Sequence, residues 1–170
     1  MSNLTQTPDI LIAFDAEAIV AKGKGTSDSP LYAGNENIYM ITRHGSVLSG
    51  NAGGELNVQV AVGDVIRWRS STLSQNFDYD VLLYRFESTD SNHKLLSNPE
   101  SMSGDINEPV PNTDNPLQPG KQDVTNYYWQ ATAKKIGSVT YNFFFMITDR
   151  SGNVYGYYRW DPFITINNKD

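Results

Sequence analysis

Residues 54–87 read GELNVQVAVGDVIRWRSSTLSQNFDYDVLLYRFE, and this stretch decides the fold class of the chain. In its first part every second residue is branched and apolar, namely Leu56, Val58, Val60 and Val62. A period of two places these side chains on one face of a β-strand. Gly63-Asp64 then supplies a turn, and Val65–Ser70 and Tyr79–Glu87 continue with strand-forming residues. Three consecutive strands without a helical period are typical of an antiparallel β protein.

Further strand candidates occur on both sides of this stretch. They are Asp9–Phe14, Glu36–Arg43, Tyr127–Ala133, Ser138–Thr148, Val154–Trp160 and Phe163–Asn167. Asp9–Phe14 is almost entirely apolar, so we expect a buried strand; Ala16–Ala21 is either one turn of helix or a continuation of that strand. About nine or ten short strands and no long helix predict an all-β, single-domain antiparallel β-sandwich over residues 1–170, with Greek-key or jelly-roll connections.

Residues 87–126 are the least regular part of the sequence. Five of the eight prolines lie here, and Ser, Asn, Asp and Gly are frequent among the other residues. We expect one long Pro-rich loop, because these residues favour turns. Such a loop is either an ordered crossover between two sheets or a wall of a binding site. Its apolar residues are candidates for pinning it to the body: Leu95, Leu96, Met102, Ile106 and Val110.

The composition argues against several classes of function. The 170 residues include no cysteine, which rules out disulfides, thiolate catalysis and metal sites built on Cys. The formal net charge is −6 and the pI is about 4.8. Binding to nucleic acid or to an anionic membrane requires a basic surface that meets the phosphates. We therefore predict neither partner.

The ends and apolar runs of the chain bear on its location. The first residues, MSNLTQTPD, are polar and lack the apolar segment of a signal peptide. The apolar runs are far shorter than the about 20 residues of a transmembrane helix. We therefore expect a cytoplasmic protein, with export by a route that uses no cleaved signal as the alternative.

Four segments together resemble the PixA/AidA family of bacterial inclusion-body proteins. They are DILIAFDAEAIV at residues 9–20, NIYMIT at 37–42, the strands of 56–86, and FFFMITDRSGNVYGYYRWDPFITI at 143–166. The pieces GDVIRWR and WDPFI are the most specific. The resemblance implies a small protein without a signal peptide; some members accumulate as cytoplasmic inclusions and some are controlled by cell density. It implies no catalytic residues.

The sequence contains no recognised catalytic motif, since a Gly-x-Ser-x-Gly elbow, a zincin histidine pair and a kinase signature are all absent. His44 and His93 occur in a predicted turn and in the predicted loop, where we expect both to be solvated. We therefore predict a non-enzymatic protein without a cofactor, and an unrecognised hydrolase is the third alternative. Asp78 and Asp80 are candidate calcium ligands, because calcium binds carboxylate oxygens on loops.

Tyrosines and tryptophans supply the candidate ligand-binding residues. Tyr155 and Tyr157 share one face of a predicted strand, and Tyr128 and Trp129 adjoin the predicted loop. Planar rings with polar tips can stack on sugars, which suggests a carbohydrate-binding module. The alternative is that such rings fill the core or form the cross-strand pairs that commonly stabilise sheets.

Self-association is the leading functional hypothesis. Strand edges and exposed tyrosines provide surfaces that can bind a second copy. The net charge of −6 opposes close packing near neutral pH, and this repulsion weakens as the pH approaches the pI. We therefore predict a homo-oligomer or an inclusion assembly, with carbohydrate as the alternative partner.

Overall fold

The computed structural model describes residues 7–168, which form a β-sandwich. The strands are β1 (Asp9–Phe14), β2 (Leu31–Tyr32), β3 (Ile38–Ile41), β4 (Val47–Ser49), β5 (Asn57–Ala61), β6 (Val65–Thr72), β7 (Tyr79–Ser88), β8 (Glu100–Val110), β9 (Gly120–Thr132), β10 (Gly137–Asp149), β11 (Val154–Trp160) and β12 (Phe163–Asn167). Between them lie one short helix, α1 (Ala16–Ala21), and two turns of 3₁₀ helix, Asn35–Asn37 and His44–Ser46. Within residues 7–168, no helix has the length and apolar character needed to cross a membrane. The predicted all-β sandwich is confirmed.

The strands divide between two sheets. The five-stranded sheet has the order β3-β1-β6-β9-β8, so β6 is its central strand. In the seven-stranded sheet, β10 pairs with β7 on one side and with β11 and then β12 on the other. Beyond β11 lies β2, and beyond β12 lie β5 and β4. The ladder on β10 continues past the break between β11 and β12, because the N–H of Tyr141 donates to the carbonyl of Pro162 at 3.1 Å.

Three of the strand pairs are parallel, namely β1 with β6, β2 with β11, and β5 with β12. Both sheets are therefore mixed: the predicted β-sandwich is confirmed, but these three pairs are parallel where antiparallel pairing was predicted. The alternation of apolar and polar residues indicates which face of a strand is buried. It does not indicate which strand lies beside it. Between two parallel partners the chain passes through the other sheet, and it then returns to the first sheet running in the same direction as before.

Aromatic side chains dominate the core between the sheets. Trp68, Tyr141, Phe143 and Trp160 are fully buried. Trp68 Nε1 donates to Tyr141 Oη at 3.0 Å, and burial raises the pKa of Tyr141. Phe143 stacks on Trp160 with ring centroids 5.7 Å apart. Because each large ring buries about 150–250 Å², a modest apolar fraction is enough to fill this core.

The alternation that decided the fold class is confirmed. Leu56, Val58 and Val60 are buried. The turn after β5 is closed by Asp64, whose Oδ2 accepts the N–H of Ala61 at 2.9 Å. This hydrogen bond satisfies the backbone at the end of β5 and sends the chain into β6 on the opposite sheet.

The first strand departs from its prediction at alternate positions. Ile10, Ile12 and Phe14 are buried as expected, but Leu11 between them is 46% exposed. The strand therefore has an apolar side chain on the outer face of the five-stranded sheet, because β1 covers the core with one face only.

The loop predicted for residues 87–126 is in large part a β-hairpin, so this prediction is wrong. β8 pairs antiparallel with β9 from Glu100↔Gln130 to Val110↔Gly120. These strands could not be predicted from the sequence, because most of their side chains are exposed. An exposed strand needs no alternation of apolar and polar residues. Pro109 is compatible with β8, because an edge strand needs no donor on its open side. Of the expected anchors, Leu96 is buried, in the connection that precedes β8.

Candidate functional site

The outer part of the β8–β9 hairpin, which we call the arm (residues 102–128), is the candidate site. Its strand pairs run from Met102↔Tyr128 to Val110↔Gly120. β9 pairs with β6 only from Trp129 to Thr132, so no described strand lies beside the arm. At a rise of about 3.4 Å per residue the arm is roughly 30 Å long. It therefore projects from the five-stranded sheet as a two-stranded ribbon with open edges.

The two faces of the arm differ in polarity. Side chains alternate between the faces along each strand, so every second residue pair shares a face. The apolar face continues the outer face of the five-stranded sheet and carries Met102–Tyr128, Gly104–Asn126, Ile106–Val124, Glu108–Gln122 and Val110–Gly120. The polar face carries Ser103–Tyr127, Asp105–Thr125, Asn107–Asp123 and Pro109–Lys121. The ribbon is thus amphipathic, with apolar side chains at intervals along one face.

The hairpin that forms the arm is acidic. Residues 100–128 contain five acidic side chains and one basic one, a formal charge of −4 within the −6 of the whole chain. The acidic residues are Glu100, Asp105, Glu108, Asp114 and Asp123, and the basic one is Lys121. Cross-strand hydrogen bonds hold two of the carboxylates: Thr125 Oγ1 donates to Asp105 at 2.7 Å, and Gln122 Nε2 donates to Glu108 at 3.4 Å. Such a segment attracts a basic surface and repels an acidic one.

The apolar face of the arm adjoins a row of residues that crosses all five strands of the sheet. The row, from β3 to β8, is Ile41, Leu11, Arg69, Tyr128 and Met102. At one end Ile41 is 43% exposed beside Leu11. In the centre the Arg69 guanidinium lies 5.0 Å from the Tyr128 ring centroid and forms an ion pair with Asp9. The row therefore has apolar side chains at both ends and a cation at its centre.

The structure does not bring the four predicted ligand-binding residues together. Tyr128 and Trp129 lie on the five-stranded sheet, and Tyr155 and Tyr157 lie on the seven-stranded one. Trp129 points into the sandwich, where its Nε1 donates to the carbonyl of Leu83 at 3.2 Å. Trp129 is thus partly buried against the core and cannot share an exposed platform with Tyr155 and Tyr157.

Tyr157 belongs to a small aromatic patch on the outer face of the seven-stranded sheet. Its ring packs edge-on against Tyr84, with centroids 5.8 Å apart. The Arg85 guanidinium covers the ring of Phe144 at 3.7 Å. Tyr84 Oη is buried and has no hydrogen-bond partner among the described residues, and burial raises the pKa of Tyr84. The patch offers rings beside a cation, but its size is small.

The candidate calcium ligands Asp78 and Asp80 lie at the start of β7 and are exposed. Asp80 Oδ1 accepts the N–H of the next residue, Val81, at 2.6 Å. Within the described part of the chain, no group of three or more His, Asp or Glu side chains is arranged to hold a metal ion. A calcium site here therefore rests on these two carboxylates alone.

Tyr128 could be predicted from the sequence as a candidate binding residue, but the surface around it could not. Leu11 was expected in a wholly buried strand, and the outward side of that strand is visible only once β1 is placed in a sheet. The sequence of the arm contains one weak indication of a strand, because Met102, Ile106 and Val110 are spaced four residues apart. On a strand such residues share a face, but prolines and polar residues on both sides obscure the pattern.

Comparisons with known proteins agree with this fold. A sequence model of the PixA family, described as inclusion body protein, matches residues 6–166. The crystal structure of an inclusion body protein (PixA) from Burkholderia cenocepacia J2315 is similar over 98% of this chain and 99% of that chain, with a TM-score of 0.82. The two sequences are 18% identical, so this likeness concerns the fold.

Two other comparisons add nothing to this result. The solution structure of Amebosin matches with a TM-score of 0.25 and 8% identity, over 73% of this chain and 93% of that chain. A similarity this low carries no argument. No curated protein matches the chain.

Proposed function

The chain belongs to the PixA family of inclusion body proteins, and we propose that it is a non-enzymatic cytoplasmic protein that self-associates into a homo-oligomer or an inclusion. The arm carries this proposal. A two-stranded hairpin is marginally stable in water when nothing covers it, and this arm has open edges and an apolar face. Open edges and exposed apolar surface favour association. A protein that accumulates in an inclusion is present at high concentration, so a second copy is the partner that the arm meets there.

Three titratable groups with shifted pKa values serve the fold. Burial opposes ionisation of Asp90, but hydrogen bonds from three backbone N–H groups outweigh it and lower the pKa of Asp90. Hydrogen bonds from Asn153 and Ser151 lower the pKa of Asp149 in a hairpin loop. Burial raises the pKa of Tyr158 to about 12, and its Oη donates to the carbonyl of Gly23 at 2.9 Å. Each of these shifts thus has a structural cause in a connection, a hairpin loop or the core.

The mass of the protein in solution tests self-association. We expect a species larger than a monomer whose share grows with concentration at pH 7, and a further increase near pH 5. The reason is that the charge of −6 at pH 7 diminishes toward the pI of about 4.8. Multi-angle light scattering across concentration at both pH values measures this. A strict monomer under all conditions contradicts the proposal.

Carbohydrate binding is our alternative proposal, now confined to the aromatic patch of Tyr84 and Tyr157. The specific observation in its favour is the outward ring of Tyr157, which packs edge-on against Tyr84 and leaves a planar face beside a cation. A glycan array with wild type and Tyr157→Ala tests it. We expect retention in wild type and loss in the variant, with little change in thermal stability because Tyr157 lies outside the core. Equal retention by both proteins, or none by wild type, contradicts this alternative.

A further inference from the structure

We propose that two copies pack the outer faces of their five-stranded sheets together about a two-fold axis that runs along the central strand β6. This inference rests on the proposed self-association and names the surface that achieves it. With the order β3-β1-β6-β9-β8, such an axis places β3 over the partner's β8 and β1 over the partner's β9. A two-fold interface must be self-complementary, because each surface meets a copy of itself.

The row through Arg69 satisfies this condition. The axis places Ile41 opposite Met102 of the second copy and Leu11 opposite Tyr128 of the second copy. Ile41 and Leu11 are 43% and 46% exposed, and Met102 and Tyr128 are half-exposed at the base of the arm. Apolar side chains thus meet apolar or aromatic ones at both ends of the row, and their burial favours association by about 25 cal/mol per Å².

The next row supplies complementary charges. Asp9 lies beside Arg67, Arg67 beside Gln130, and Gln130 beside Glu100. Arg43 follows the end of β3 and is exposed. The Thr42 hydroxyl donates to the carbonyl of Asp9 at 2.8 Å, which places this end of β3 beside Asp9. The proposed axis therefore sets Arg43 opposite Glu100 of the second copy, at both ends of the interface.

The row on the other side is complementary in shape. Ala13 lies beside Tyr39 and Ser71, and Gly104 lies beside Asn126. The axis places the large ring of Tyr39 opposite Gly104 of the second copy. Nothing lies within 4 Å of a Cβ built on Gly104, so the space above this glycine is open to receive a ring.

The arginines near the axis meet their own copies, and the sheet already provides partners for them. Arg69 pairs with Asp9 and stacks near Tyr128. Arg67 Nε donates to Gln130 Oε1 at 3.0 Å. These partners reduce the repulsion between the facing guanidinium groups.

The available area is sufficient for a dimer. Five strands spaced about 4.8 Å apart and about six residues long give roughly 480 Å² per copy. Two such faces bury about 1,000 Å², near the lower limit for a specific interface. In the rival arrangement, the β8 edges of two copies pair with each other. This pairing brings Asp105 of one copy close to Asp105 of the other. It also places Pro109, which has no N–H to donate, in the new ladder.

Chemical cross-linking tests the arrangement, because the chain contains no cysteine. Copies with Met102→Cys are mixed with copies with Ile41→Cys and treated with a bismaleimide that spans about 10 Å, the distance between packed sheets. We expect cross-linked dimers that contain one copy of each variant, at least about 10-fold more abundant than dimers from Met102→Cys alone. The two β8 strands lie at opposite edges of the interface, about 19 Å apart along the sheets and about 10 Å apart between them, which is about 22 Å in all.

Ser103→Cys in place of Met102→Cys is the matched control. It lies on the same strand but on the polar face, so we expect no cross-link to Ile41→Cys. Strong cross-linking of Met102→Cys to itself indicates β8 edge pairing and overturns the proposal. Absence of the mixed dimer, while light scattering of wild type shows association, also overturns it and leaves the proposed function standing. A monomeric wild type rejects both.

A charge exchange provides a second test. Glu100→Arg and Arg43→Glu each place like charges together, and we expect each to raise the dimer Kd about 3- to 10-fold, whereas the double variant restores it. Asp105→Arg, on the polar face of the arm, is the control, because it changes the net charge by the same amount as Glu100→Arg but does not face Arg43; we expect it not to raise the Kd. Additive weakening in the double variant contradicts the proposed register.

Discussion

At the scale of single residues, carboxylates organise the connections of this protein by accepting backbone N–H groups. Asp90 is the most developed case, since its oxygens accept from Lys94, Leu95 and Leu96 at 2.9, 2.7 and 2.9 Å. These bonds fold the connection between β7 and β8 and fix buried Leu96 against the core. Because a backbone donor that loses its partner inside the protein remains unsatisfied, this residue should matter for stability.

Asp90→Asn should lower the free energy of unfolding by about 1–3 kcal/mol, since the amide can present one acceptor oxygen but not two. The lowered pKa of Asp90 gives the pH dependence. Its contribution is complete above the ordinary pKa of 3.8 and is lost as the pH falls through the folded-state pKa. Urea unfolding at pH 7 and near pH 3 measures this, with exposed Asp78→Asn as the control. A deficit that persists undiminished at low pH contradicts the assignment.

At the scale of elements, exposure decided which strands could be predicted from the sequence. In β5 and β10 every second residue is buried, and in β10 these residues are Val139, Tyr141, Phe143, Phe145 and Ile147. Most side chains of β8 and β9 are exposed. Because these strands contribute little to the core, apolar and polar residues do not alternate along them. The prolines and small polar residues of 87–126 then indicated a loop where the chain forms a ribbon.

The candidate site shows the same limit at the level of one strand. Tyr128 and Trp129 are adjacent in sequence and were predicted together, but alternation sends one outward and the other into the sandwich. Leu11 and Ile41 could not be assigned to the outer face, because which side of an apolar strand is covered depends on the neighbouring layers. The site therefore follows from the pairing of strands, which the sequence of each strand does not contain.

At the scale of the whole molecule, net charge and local complementarity act in opposite directions. The chain carries −6, of which residues 100–128 carry −4, so two copies repel each other at a distance. When two copies are in contact, the burial of apolar side chains and the proposed pairing of Arg43 with Glu100 favour association. Surface ion pairs contribute at most about 1 kcal/mol each, so we infer that long-range repulsion determines the response of the assembly to salt.

Raising the salt concentration should therefore strengthen self-association at pH 7. Salt screens charges separated by more than about 10 Å at 0.1 M ionic strength and about 3 Å at 1 M. We expect the dimer Kd to fall several-fold between about 0.02 M and about 0.5 M NaCl, as measured by sedimentation equilibrium. A variant with Asp105→Asn and Asp123→Asn keeps the proposed interface but removes two charges from the polar face of the arm, and should respond less to salt. Dissociation of the wild type by salt would show instead that ion pairs hold the copies together and that net charge is secondary.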